Sequence, residues 1–277
     1  MSTVSNREVP PDEGSVSTQS KEFQVSEFEK VSTSLNGVIR VSAGDGPSLT
    51  ISASERALAA LDVKVRDGTL ELGPNKDGSG YSESARSLAS HLLDLILKRR
   101  TSENRSIAYT SHYLIEISSP RLRELMFGGK ARLDIESQLL DTEGVKLVCG
   151  GVSAVSSKSI SAPNVELVSS GTASLKVKDI KSDSVDCRIS GTATIRVNGE
   201  TEAVSARISG TGSLDATKLL ASRASIVTSG ASNASVHAQK ELEVTSSGAC
   251  AVRYLGNPQK NTTFSGVLDC SPLNSEG

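Results

Sequence analysis

The chain has 277 residues, and 30 Lys and Arg against 32 Asp and Glu give it a formal net charge of −2. This balance excludes the basic excess of a nucleic-acid-binding domain. It also gives the protein no strong electrostatic attraction to a charged membrane surface. Aromatic residues make up 3% of the chain and Trp is absent. A core of small aliphatic residues is therefore predicted, which is typical of many similar layers.

Residues 1–22 are rich in Ser, Glu and Pro, and they predict a disordered N-terminal arm. The first twenty residues hold no apolar run, so no signal peptide is predicted. The longest apolar cluster, residues 92–97, is too short to span a bilayer, so no transmembrane segment is expected. These residues alone leave the cellular location unknown.

Residues 23–78 predict N-terminal strands that form the first coils of a repeat. Short alternating segments at 38–41, 49–51 and 63–65 have the period of strands. Asp67-Gly68 follows the last of these segments and is typical of a two-residue hairpin turn.

Residues 79–112 change period and predict a helical insert, with an α-helix near 82–100. Three interpretations remain open: a helix that lies on the rest of the fold, a partner-binding helix and a membrane-surface helix. The basic residues 98–100 cluster at the end of the helix, which suits the helix dipole better than a membrane surface. The apolar positions at helical spacing are Ala85, Leu88, Ala89, Leu92, Leu93 and Ile96.

Residues 113–273 contain one unit that recurs every 18 to 22 residues, and residues 274–277 form a tail. A glycine marks each unit, and the six later glycines follow a serine. A unit of this length suits one coil of a parallel β-helix. It is too short for a propeller blade, and it lacks the pattern of a leucine-rich repeat. The landmark glycines are Gly129, Gly151, Gly171, Gly191, Gly210, Gly230, Gly248 and Gly266.

Positions counted from each glycine form columns of like residues. Even offsets are mostly apolar or small and odd offsets mostly polar, so period 2 predicts strands with one buried face. The glycine itself suits a corner that needs a positive φ. The predicted fold is therefore all-β: a right-handed parallel β-helix, or solenoid, of roughly 20-residue coils with one inserted α-helix. The column four residues after the glycine contains Leu133, Val155, Leu175, Ile195, Leu214, Ala234, Val252 and Cys270.

The four cysteines share no column, so all of them are predicted to be free core residues. Cys250 and Cys270 lie one coil apart but differ by two residues in offset. This register implies a Cα separation of about 8 Å, which is beyond disulfide reach. The other two cysteines are Cys149 and Cys187.

The odd columns supply the candidate functional residues. Arg188 and Arg207 lie three residues before successive glycines and are candidates for an anionic sugar. Glu166 and Asp186 fall on neighbouring coils and are the best hint of a polysaccharide-acting enzyme. We predict no catalytic, cofactor or metal site, because the three histidines lie far apart in the chain. A hydroxyl ladder at offset one, which could also meet a carbohydrate, contains Thr172, Thr192 and Thr211.

Several segments together resemble a known family, the putative autotransporter adhesin, head GIN domain family. Three Ser-Gly units carry the likeness, at 170–177 (SGTASLKV), 190–197 (SGTATIRV) and 229–236 (SGASNASV). The closing stretch 247–258 (SGACAVRYLGNP) and the opening segments 28–32, 37–41 and 63–70 resemble it too. The resemblance covers about residues 23–272 apart from the insert. It implies a β-helical fold and an exported, envelope-associated protein, and it implies no catalytic or binding residues.

The residues and the resemblance together predict a non-enzymatic, adhesin-like surface or envelope-associated module that binds a glycan or a protein partner. Two alternatives stay open, a polysaccharide-acting β-helix enzyme and a self-associating scaffold. The scaffold would form a homo-oligomer through the helical insert or the end coils. No cofactor is predicted.

Overall fold

The computed structural model describes residues 18–75 and 111–273. These parts form a β-solenoid of about seven turns with parallel bridges, which confirms the predicted fold class. Seventeen strands and one short helix occur in them. The first elements are β1 (Thr18–Phe23), β2 (Lys30–Thr33), β3 (Gly37–Ser42), β4 (Ser48–Ser54), α1 (Glu55–Ala59), β5 (Leu61–Arg66), β6 (Thr69–Pro74), β7 (Tyr113–Ser118) and β8 (Glu124–Phe127). The others are β9 (Ala131–Leu140), β10 (Val145–Cys149), β11 (Ala154–Ser161), β12 (Asn164–Gly171), β13 (Ser174–Gly191), β14 (Thr194–Gly210), β15 (Ser213–Gly230), β16 (Asn233–Leu255) and β17 (Gln259–Pro272).

Each regular coil has an entry arm before the landmark glycine and an exit arm after it. Like positions of successive coils pair in parallel, so Gly171 pairs with Gly191, and Gly191 with Gly210. On the exit arm Leu175 pairs with Ile195. The columns predicted from the sequence are therefore stacks in the structure.

The landmark glycines turn the chain at a corner, with φ between +69° and +107°. A side chain is excluded there for a second reason, because successive corners stack directly on one another. A Cβ added at Gly191 would lie 2.8 Å from the carbonyl oxygen of Gly171, and one at Gly248 would lie 2.4 Å from that of Gly230. Both the backbone angle and the close stacking therefore require glycine.

The core fills the space between the arms with the even-offset columns. Leu175, Ile195 and Val197 are fully buried, whereas Lys176, which follows Leu175 along the strand and points outward, is exposed. Alternate positions along each strand thus separate core from surface, as period 2 requires.

The first coils do not stack in the order of the sequence. Strand β2 pairs in parallel with β6 on one side and with β8 on the other, and β3 lies in the same way between β7 and β9. The coil made of β6 and β7 therefore lies beneath the coil made of β2 and β3, although it follows it in the chain. The prediction that residues 23–78 supply N-terminal strands and first coils carried no stacking order, and the structure supplies it.

Antiparallel strands and the helix α1 close this N-terminal end. β1 pairs with β4, and β5 pairs with β6 across the predicted hairpin turn, where Asp67 and Gly68 have φ of 49° and 68°. Ser54 caps α1, and Ala57 packs into the core. Because β1 already begins at Thr18, the predicted disordered arm 1–22 extends too far into the fold.

Three predictions fall outside the described residues. These are the helix near 82–100 with most of the insert 79–112, the tail 274–277 and the first seventeen residues of the arm. Strands β6 and β7 lie on either side of the level of the glycine corner. Leu72 of β6 and Phe127 both pair with Thr33, and Tyr113 of β7 and Ala131 both pair with Gly37.

Candidate binding face

One outward surface of the entry arms carries the two candidate arginines. Arg188 and Arg207 are register partners on neighbouring coils. Glu166 and Asp186 are also partners, two positions earlier on their strands. We name this surface the arginine face. It contains Glu166, Val168, Asp186, Arg188, Ser190, Arg207, Ser209 and Val227.

Arg188 is held in place by two carboxylates. Its Nη1 donates to Glu166 Oε1 at 2.7 Å, and its Nη2 donates to Asp186 Oδ2 at 2.7 Å. Lys146, which the sequence analysis did not include, also approaches Glu166 at 3.4 Å. These contacts fix the guanidinium plane and leave its side chain 51% exposed.

Arg207 is held less firmly than Arg188. Among the described residues, its ion pair is one 3.5 Å approach from Nη1 to Asp186 Oδ1, and its side chain is 61% exposed. Beside it lies a shallow depression of about 250 Å³, whose lining includes Val168, Val227 and Ser209. Val227 is 42% exposed. The arginine face thus combines exposed guanidinium N–H donors of Arg207, serine hydroxyls and valine methyl groups.

The carboxylate pair that suggested an enzyme is adjacent but engaged. Glu166 contacts Arg188 and Lys146, and Asp186 contacts Arg188 and Arg207. A glycosidase needs one carboxyl that stays protonated and a second that attacks or activates water. Each of the four oxygens of Glu166 and Asp186 lies within 3.5 Å of a Lys or Arg nitrogen, so both carboxylates are engaged as ion-pair partners.

The threonine ladder lies on the other side of the glycine corner. Thr172, Thr192 and Thr211 are exposed, and the Oγ1 atoms of Thr192 and Thr211 are 3.2 Å apart. Their backbone N–H groups donate to the corner glycines of the previous coil at 2.8–3.0 Å. The ladder and the arginines therefore form two strips along one ridge rather than a single pocket.

A longer groove lies where one coil leads to the next, and the sequence analysis missed it. It is an open trough of about 840 Å³ that crosses several coils. Its charged lining residues are four carboxylates and two lysines, so the groove is moderately acidic. No glycine or other regular residue marks this turn, so the sequence carried no signal for it. Its lining includes Asp141, Lys181, Asp183, Glu200, Glu202 and Lys240.

Three of the four cysteines are buried core residues as predicted, whereas Cys270 on the last strand is only half-buried. All four are free, and Val252 rather than Cys250 pairs with Cys270, which confirms the predicted register. Burial, with the neighbouring Asp186 charge, raises the pKa of the Cys187 thiol to about 12.

Within the described ranges, no three His, Cys, Asp or Glu side chains converge as metal ligands would. Across the same ranges, no helix has the length and apolar content that a bilayer crossing requires. Of the three histidines, His112 and His237 lie in the described ranges and His91 lies outside them.

Solved structures share the fold at low sequence identity. A putative adhesin from Parabacteroides merdae ATCC 43184 aligns with a TM-score of 0.77 at 18% identity, over 94% of this chain and 98% of that one. A putative adhesin from Parabacteroides distasonis ATCC 8503 aligns at 0.75 and 17% identity, with the same coverage. A putative lipid binding protein from the same strain aligns at 0.67 and 18% identity, again over 94% and 98%.

No curated protein matches the chain. A family model does, over residues 27–258, which is most of the solenoid and includes the arginine face. The chain therefore belongs to the family described as "Putative auto-transporter adhesin, head GIN domain".

Proposed function

We propose that the protein is a non-enzymatic, adhesin-like surface or envelope-associated module that binds a glycan through the arginine face. The observation that carries the proposal is the contrast between its two arginines. Arg188 is fixed by two carboxylates, whereas Arg207, one coil away, keeps most of its donors exposed. The family's description as an adhesin supports a binding role.

The chemistry of the face suits a sugar. Guanidinium N–H groups donate to sugar oxygens, and carboxylate oxygens such as those of Glu166 accept from sugar hydroxyls. The methyl groups of half-buried Val168 and exposed Val227 provide contact for the C–H side of a ring. A face that is already ordered by its own ion pairs loses little conformational entropy on binding. An acidic sugar gains a charge-assisted hydrogen bond from Arg207.

The test is a panel of neutral and acidic glycans with the purified chain. We expect binding without turnover, and we expect Arg188→Ala with Arg207→Ala to reduce affinity at least about tenfold, the equivalent of 1.4 kcal/mol. Arg196→Ala is the matched control, because Arg196 is 64% exposed on the exit arm and also lies near one carboxylate, Asp215. Equal losses in the double variant and in the control would contradict the proposal.

The polysaccharide-acting enzyme is the second candidate, and the adjacency of Glu166 and Asp186 favours it. Turnover in the same panel that disappears in Glu166→Gln or Asp186→Asn, with an unchanged melting temperature, would establish it. That outcome would replace the proposed binding role.

A further inference from the structure

The two ends of the solenoid differ in how the core is closed. At the N-terminal end, α1 and the antiparallel strands cover the core, and Ala57 and Ala60 are buried. At the other end, β17 is the last strand, and among the described elements it pairs with β16 alone. Within residues 18–75 and 111–273, nothing pairs with the N–H and C=O groups of its outer backbone edge.

The apolar columns end exposed on β17. Phe264 continues the buried column of Ser246, but it is 58% exposed, whereas Ser246 is 3% exposed. Leu268 continues the column of buried Cys250 and is half-buried. Val267, on the outward side of the corner, is 71% exposed. The described core is thus cut off at this end rather than closed.

The charges on this edge are few and already engaged. Asp269 accepts from Arg253 of the coil below at 2.6 Å, and Lys260 lies over the ring of Tyr254 at 5.1 Å. By contrast, the six-residue edge strand β5 contains Asp62, Lys64 and Arg66. Charges along an edge strand oppose pairing with another chain. β17 has two charged residues in fourteen, so it lacks this protection.

We propose that β17 is a homodimerisation edge, at which two copies of the chain pair tail to tail through antiparallel β17 strands. The occupant is a second copy, because the edge is complementary to itself. β17 bends at Gly266, and an antiparallel copy can follow both arms only if the twofold axis passes through that corner. The axis then places Phe264 against Leu268 of the second copy, and Ser265 against Val267.

This register creates no like-charge contact. Asp269 faces Thr263 of the second copy, and Lys260 faces Pro272 at the outer limit of the pairing. The two copies of Phe264 and Leu268 extend the existing core across the junction, and the strand edges exchange backbone hydrogen bonds. An isologous contact of this kind closes on itself, so it gives a dimer and not a filament. The inference is independent of the proposed glycan-binding role.

Sedimentation or light scattering of the full chain tests the proposal. We expect a dimer at micromolar concentration, and we expect Val267→Lys to raise its Kd at least about tenfold, because two lysines would then lie roughly 8 Å apart across the axis. The matched control is Val152→Lys. Val152 is also the first residue after a landmark glycine and is 56% exposed, but it lies in the middle of the solenoid. It should leave the Kd unchanged.

Hydrogen exchange of residues 259–272 distinguishes a second copy from other occupants. Protection that increases with protein concentration supports the dimer. A monomeric chain overturns the proposal, whether the strand is exposed or is protected by residues 1–17 or another part of the same chain. A dimer that persists in both Val267→Lys and Phe264→Lys also overturns it. Melting temperatures within a few degrees of the unsubstituted chain establish that both variants are folded.

A cysteine pair tests the register. In a Cys270→Ser background, Ser265→Cys chains mixed with Val267→Cys chains should form a mixed disulfide, since these positions face each other. Val267→Cys chains alone should not form one, because roughly 8 Å separates that position from its own copy. The opposite pattern of cross-links would overturn the twofold axis at Gly266.

Discussion

Gly191 lies directly above Gly171, and a Cβ on the upper glycine would come within 2.8 Å of the carbonyl oxygen of the lower one. The close approach and the positive φ of 79° both act against any side chain. The corner therefore strongly disfavours any residue other than glycine.

Gly191→Ala should lower the free energy of unfolding by about 2–3 kcal/mol, because the alanine must adopt a left-handed conformation and displace the coil below. Urea-induced unfolding measures the change. Gly46→Ala is the control, since a Cβ there meets nothing within 4 Å. If both substitutions cost the same, the stacked corner does not contribute as described.

Leu175→Asp should destabilise the fold by at least about 3 kcal/mol or prevent folding. Leu175 is fully buried beneath Ile195, and an unpaired carboxylate there has no partner. Lys176→Asp, one position along on the exposed face, should change stability by less than about 0.5 kcal/mol. Thermal unfolding of both variants compares the two faces directly, and small equal shifts would contradict the column assignment.

The native chain should contain four free thiols. Mass spectrometry of the unreduced protein checks this, and a Cys250–Cys270 disulfide would contradict the observed register. Cys187 should react with a thiol reagent at pH 8 at a rate set by unfolding, because its side chain is buried and burial raises its pKa to about 12. Denaturant should restore normal reactivity, and rapid labelling in the native state would show that the coil interior opens.

Asp141 should contribute pH-dependent stability. Burial raises the pKa of Asp141. The Arg121 guanidinium at 2.7 Å and the N–H groups of Gly144 and Glu143 lower it by more, so that the pKa is about 2. Because the folded pKa lies below the ordinary value of 3.8, the stabilisation is present above about pH 4. It is lost as the pH falls through about 2.

Asp141→Asn should therefore cost about 1–2 kcal/mol at pH 7, with allowance for solvent around the partly exposed Arg121. It should also flatten the unfolding free energy between pH 4 and pH 2. Asp179→Asn, at an exposed position, serves as the control. An unchanged pH profile in Asp141→Asn would show that this carboxylate does not carry the effect.

Periodicity predicted the regular part of the fold because a solenoid repeats one local rule. The stack of Leu175 on Ile195 and the corner at Gly191 follow from alternation and from the conformational freedom of glycine, which are properties of neighbouring residues. Adjacency of Glu166 and Asp186 also follows, since a coil length of twenty residues places equal offsets side by side.

The ion pairs of the arginine face did not follow from the same rule. Register places Arg188 beside Arg207, but it does not say that Arg188 turns toward two carboxylates while Arg207 keeps one distant contact. The difference depends on side-chain rotamers and on Lys146 of another coil. The groove that includes Asp141 was missed for a related reason, because no repeated residue marks the turn that forms it.

The sequence by itself thus determined the strands, their inward and outward faces and the glycine corners, because each depends on residues close together in the chain. Only the tertiary structure decided that the coil of β6 and β7 lies beneath the coil of β2 and β3. The antiparallel strands reverse the direction of the chain, and the next strand then pairs with whichever strand edge is still free. It also decided that α1 covers the core at one end, and that the core of the described residues ends on Phe264 at the other. End closure is a long-range property, since it depends on what remains to be packed after the last repeat.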